Sequence, residues 1–116
     1  MRRGKTRTLG RLPMRTLVIP PAAQRDEDSI QMISTWIAEQ GPHSTLNVGM
    51  WHAQGKSEAS AWGILFADLV RHLANAIQEK HGTDAETTIK KVIDALHAEL
   101  DAPTSKVEGG FHPGHT

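Results

Sequence analysis

Apolar and polar positions alternate along this chain with two different periods. From 57 to 82 it reads SEASAWGILFADLVRHLANAIQEKHG, with a serine suited to cap a helix, no proline, and a glycine to stop it. At about 100° per residue, Trp62, Phe66, Leu69, Val70, Leu73 and Ile77 share one face. The run WGILFA from Trp62 to Ala67 has no polar residue. That turn and a half is expected to be covered on nearly all sides, with Trp62 in the core and Gly63 marking a close approach of another element. After Gly82 a second helix is predicted, opened by a Thr83/Glu86 capping box and striped by Ala85, Ile89, Val92, Ile93, Leu96 and Leu100. Pro103 ends it. So short a break forces the two helices to pack as a hairpin or a sharp corner.

Upstream the period changes. Residues 44–51 (STLNVGMW) alternate, with Leu46, Val48 and Met50 on one face and Trp51 on the other, which predicts a half-buried strand. A turn follows over 52–56. Residues 16–19 (TLVI), stopped by Pro20 and Pro21, predict a brief edge strand. Asp26 or Asp28 is expected to cap a helix carrying Ile30, Ile33, Trp36 and Ile37 and ending at Gly41-Pro42. The reading is therefore an α+β fold: a small sheet of two strands per chain, packed by three helices around a central helix at 57–81. Two strands make a marginal sheet, so completion by a second copy is expected, giving a homodimer. One domain spans 15–102, with a disordered arm at 1–14 and a disordered tail at 103–116.

Composition narrows the function classes. A chain of 116 residues holds one core. It has no cysteine, which excludes thiol nucleophiles, disulfides and thiolate metal sites and suits a reducing cytoplasm. No apolar run approaches the ~20 residues that span a bilayer, so no membrane association is expected. Net charge is zero but unevenly spread. Residues 1–25 carry seven Lys or Arg and no acid; the remainder holds six against thirteen acids, a net of −7. A basic arm on an acidic body is one route to nucleic-acid binding, although the arm has no aromatic residue to stack on bases. Met14 opens MRTLVIPP and is itself a plausible initiator.

Four groups of residues carry candidate chemistry. Asp68, Arg71 and His72 share a helix flank: a carboxylate four residues from an imidazole can orient and charge it, and Arg71 can anchor an anion, which makes them candidate catalytic residues. Gly55-Lys56-Ser57 sits between a strand and a helix, as a phosphate loop does. A P-loop needs glycine at position 50, however, and that residue is Met50. What remains is anion binding by Lys56 and Ser57 at a helix start. Trp51 with His52, if exposed, marks an interface. The histidines at 43, 52, 72, 81 and 97 form no i, i+4 pair, and His112 and His115 lie in the tail, so no metal site and no cofactor are expected.

The Pro20-Pro21 pair, Trp36, the strand STLNVGMW, Trp62-Gly63 and the Asp68-x-x-Arg71-His72 string together resemble a family of short proteobacterial proteins of unknown function, over about residues 17–81. The resemblance implies an α+β fold and supplies no catalytic residue. The function expected is a non-enzymatic domain acting through protein contacts or a small anionic ligand. The alternatives are a small enzyme using Asp68 and His72, and a nucleic-acid binder using the basic arm.

Overall fold

A computed structural model describes residues 14–112. Residues 1–13 of the expected disordered arm (1–14) and the end of the tail at 113–116 lie outside these. The chain divides into two units, 1–30 and 31–116.

The described part of the first unit holds one short helix, α1 (Pro21–Arg25). Pro21 sits at its first turn, where a missing N–H costs nothing and φ is already helical. Gln24 Nε2 donates to Ile19 O at 2.7 Å, and Ser29 Oγ donates to Ala23 O at 2.8 Å. The Asp26 carboxylate accepts from the Asp28 N–H at 2.9 Å, a local turn that follows α1 instead of capping a new helix. Residues 16–19, expected as an edge strand, lie in no strand.

In the second unit, β1 (Ile33–Ala38) and β2 (Gly41–Asn47) form an antiparallel hairpin. This corrects the expected helix through Ile30, Ile33, Trp36 and Ile37. The segment ISTWIA is β-branched and aromatic, so it fits a pleated surface better than a helix. Glu39 and Gln40 both take positive φ, 51° and 72°, as a two-residue primed turn requires. Ile33 pairs with Leu46 and Trp36 with His43, while Thr35 Oγ1 and Ser44 Oγ lie 3.0 Å apart. A third strand, β3 (Gly109–His112), runs parallel to β2, giving the order β1-β2-β3. The sheet thus has three strands, not two, and draws the third from the expected tail. Gly109 permits this: its φ is 116°, and a Cβ there would meet the Ser44 carbonyl oxygen.

Between β2 and β3 the chain makes three helices, α2 (Met50–Ala53), α3 (Glu58–His81) and α4 (Ala85–Asp101). The expected strand to Trp51 ends at Asn47, because Gly49 turns the chain at φ 113° into α2. α3 is as expected: Ser57 Oγ accepts from the Ser60 N–H at 3.2 Å, and Gly82 closes the helix in the left-handed region. For α4 the cap is Asp84, not Thr83. Its carboxylate accepts from the Thr87 N–H at 3.1 Å, a stronger acceptor facing the helix dipole. After α4, Glu99 holds Thr104 through both the N–H and the hydroxyl and turns the chain toward β3.

α3 packs against α4 and α2, and β2 lies between β1 and β3. Between α3 and α4 the least exposed residues are Ala74 and Ile77 on α3 and Ala85, Thr88, Ile89 and Val92 on α4; β2 and the first turns of α3 are also partly covered. Beyond Val92 every residue of α4 is exposed. Gly63, expected to mark a close approach, would meet nothing with an added Cβ. No described helix is long and apolar enough to cross a membrane.

Replacing Gly109 with alanine is expected to detach β3 and destabilise the unit by at least ~1 kcal/mol. Loss of amide protection at Ser44 and Val48, whose N–H groups donate to Glu108 and His112, is the measurement that checks it.

Candidate functional site

The link from sheet to hairpin is organised by one carboxylate. Glu58, the first residue of α3, accepts from the Gly49 N–H at 3.1 Å, the His52 N–H at 2.9 Å and Trp62 Nε1 at 3.0 Å. It therefore caps α2 while holding a tryptophan one turn up its own helix. The Gly49 N–H, then those of His52, Trp62 and Trp51, lower the Glu58 pKa from its ordinary 4.5, against the opposing effect of desolvation. Above it the aromatic rings stack in series. Trp51 meets Trp62 edge to face at 5.8 Å between centroids, and Trp62 meets Phe66 at 5.6 Å.

Trp51 and His52, read from the sequence as an interface, thus lie on α2 beside this cluster. Trp51 is half-buried against Trp62, and the His52 side chain is exposed. Lys56 and Ser57 stand at the start of α3, where the Ser57 hydroxyl already serves the helix cap. The Glu58 carboxylate one residue on puts negative charge where an anion would bind. Asp68 is paired with Arg71 at 2.7 Å, both exposed, and this contact occupies Asp68 without engaging His72. Among the described residues two shallow clefts stand out. One lies between the β1–β2 turn and residues 104–108, the other on α4 between Ile89 and Ile93. Neither is lined by Lys56, Asp68, Arg71 or His72. Among the described residues no cluster of three or more His, Asp or Glu is placed to hold a metal.

The residues with most to offer a partner are apolar. Trp62, Phe66, Leu69 and Leu73 follow one another along α3 at spacings of four, three and four. Ile89, Ile93, Leu96 and Leu100 repeat the same spacing on α4. That is the seam of a helical bundle. Yet Phe66, Leu69 and Leu73 are 46%, 45% and 45% exposed, and Leu100 is 74% exposed. Trp62, expected in the core, is only half-buried. Among the described residues the only buried apolar side chain is Ala74. The other buried positions are polar: Thr88 and Asn47, whose amide atoms reach no hydrogen-bond partner.

Residues 16–104 match a protein family described as "Domain of unknown function (DUF5076)". The chain belongs to this family. No curated protein matches it. A solved structure from the photosynthetic bacterium Rhodopseudomonas palustrus CGA009, described as a "putative pyruvate dehydrogenase", is similar in fold. It has a TM-score of 0.61 and 19% identity, over 81% of this chain and 91% of that one. At that identity the likeness concerns the α+β fold of this DUF5076 chain and nothing of its chemistry.

Sequence reading missed Glu58, Asn47 and the openness of the two seams. For Glu58 a signal was present: a carboxylate directly after the capping serine, four residues before a tryptophan on the same face.

Because the folded pKa of Glu58 lies below 4.5, its contribution to stability is complete above that value and is lost as pH falls through the folded one. Tryptophan emission is therefore expected to shift on acidification below 4.5 in the wild type. In Glu58→Gln, which keeps the shape and loses the charge, the acid-dependent shift is absent and α2 is already loosened at neutral pH.

Proposed function

We propose that this domain acts by binding another polypeptide through the apolar faces of α3 and α4, and that it is not an enzyme. The observation that carries the reading is the exposure of the most apolar stretch of the chain. Phe66, Leu69 and Leu73, spaced as a bundle seam, stand partly open to solvent on a helix whose two ends are firmly capped. Fully burying such a side chain is worth roughly 1.5–3 kcal/mol, and at 42–46% exposure a little under half of that is left for a partner to supply. The Asp68–Arg71 pair is well exposed and fits an ordinary solvated helix flank better than an acid–base site. The lack of cysteine suits a reducing cytoplasm as the place of action.

A photo-crosslinking residue at Leu69 tests this in intact cells, with Glu79 as the control position. The expected result is covalent adducts to polypeptide at Leu69 and none at Glu79. Equal labelling at both, or no adduct at Leu69, contradicts the reading.

A further inference from the structure

Resting on that reading, we infer that the polypeptide is a second copy of this chain. It docks across a two-fold axis so that the two α3–α4 hairpins close into a four-helix bundle, with α4 antiparallel to its counterpart. Three observations lead to this occupant rather than an unrelated protein.

The first is the half-finished core. A chain with ~100 ordered residues loses roughly 1–2 kcal/mol of backbone entropy per residue on folding, and only extensive apolar burial offsets that. Here the only buried apolar side chain among the described residues is alanine. A folded state of this chain thus needs its cover at all times, which a copy of itself always supplies.

The second is area. Phe66, Leu69, Leu73, Ile93, Leu96 and Leu100 leave on the order of 600 Å² open on each chain, hence about 1,200 Å² for two copies before any rim atoms are added. That reaches the range of stable interfaces. The 4-3-4 spacing on both helices is what knobs-into-holes packing between two hairpins requires, and one hairpin is half of such a bundle.

The third is charge. Lys90 and Lys91 lie in the first half of α4 with Glu86, while Asp94, Glu99 and Asp101 lie in the second; Lys90 pairs with Asp94 at 2.9 Å within the helix, Lys91 and Asp101 have no such pair among the described residues, and the last turn has no basic residue. A late acidic stretch opposes the dipole of its own helix. Laid antiparallel against a copy, the lysine half of one α4 meets the acidic half of the other, twice, by symmetry. The cleft between Ile89 and Ile93, rimmed by Glu86, Lys90 and Asp94, offers each copy a socket for an apolar side chain of the other.

Sedimentation of the full chain at about 10 μM is expected to give twice the 12.7 kDa chain mass. A folded monomer at that concentration overturns the inference. Leu69→Glu is expected to weaken association at least 100-fold. Because a glutamate on this face can also disrupt folding, two surface variants provide the second test: Lys90→Glu/Lys91→Glu and Asp94→Lys/Asp101→Lys. Mixed, they are expected to form heterodimers at least tenfold in preference to either homodimer, read by native mass spectrometry. Dimers without that preference overturn the antiparallel arrangement. A monomer that still crosslinks a different polypeptide at Leu69 leaves the interaction reading standing and ends this one.

Discussion

Packing free energy at the seam of α3 governs this structure. A helix with Trp62, Phe66, Leu69 and Leu73 in register is built to be covered, and its own chain brings α4 and α2 against only parts of it. Near Gly82 the two long helices touch through small and β-branched residues, Ala74, Ala85, Thr88 and Val92, which let the backbones come close. Farther along, larger residues take over, and Phe66, Leu69 and Leu73 keep nearly half of their surface exposed.

Against that open surface, the local structure is firmly specified. α3 has a serine cap and a glycine stop, α4 has an aspartate cap, and Glu99 with Thr104 fixes the turn after it. Glu58 accepts from three N–H donors and so joins the residue after β2 and the helix α2 to the start of α3, beside the Trp51–Trp62–Phe66 series. Each of these is a charge-assisted or backbone hydrogen bond of modest individual strength. Together they hold shape. They do not replace the apolar burial that a stable fold of this size requires.

Much of this was legible in the residues. The helix at 57–81 followed from its serine, its glycine and its 3.6-residue period, because caps and period are local. The hairpin strand β1 was not legible, because Ile30, Ile33, Trp36 and Ile37 satisfy a helical spacing as well as β-branching satisfies a strand. Only the positive φ at Glu39 and Gln40 decides between them. β3 escaped because a parallel strand is specified by its distant partner, and GGFH has little strand character without Ser44 beside it. At the candidate site, the positions of Trp51 and Trp62 were read correctly as noteworthy and their environment was not. Periodicity says which residues need cover but not which molecule supplies it.

Amide hydrogen exchange across residues 65–73, followed as a function of protein concentration, addresses that supply most directly. If a second copy covers α3, opening requires two chains to separate, and exchange should slow about threefold for each tenfold rise in concentration. Strong protection that is the same at every concentration would show that one chain shields its own central helix, and would contradict the account.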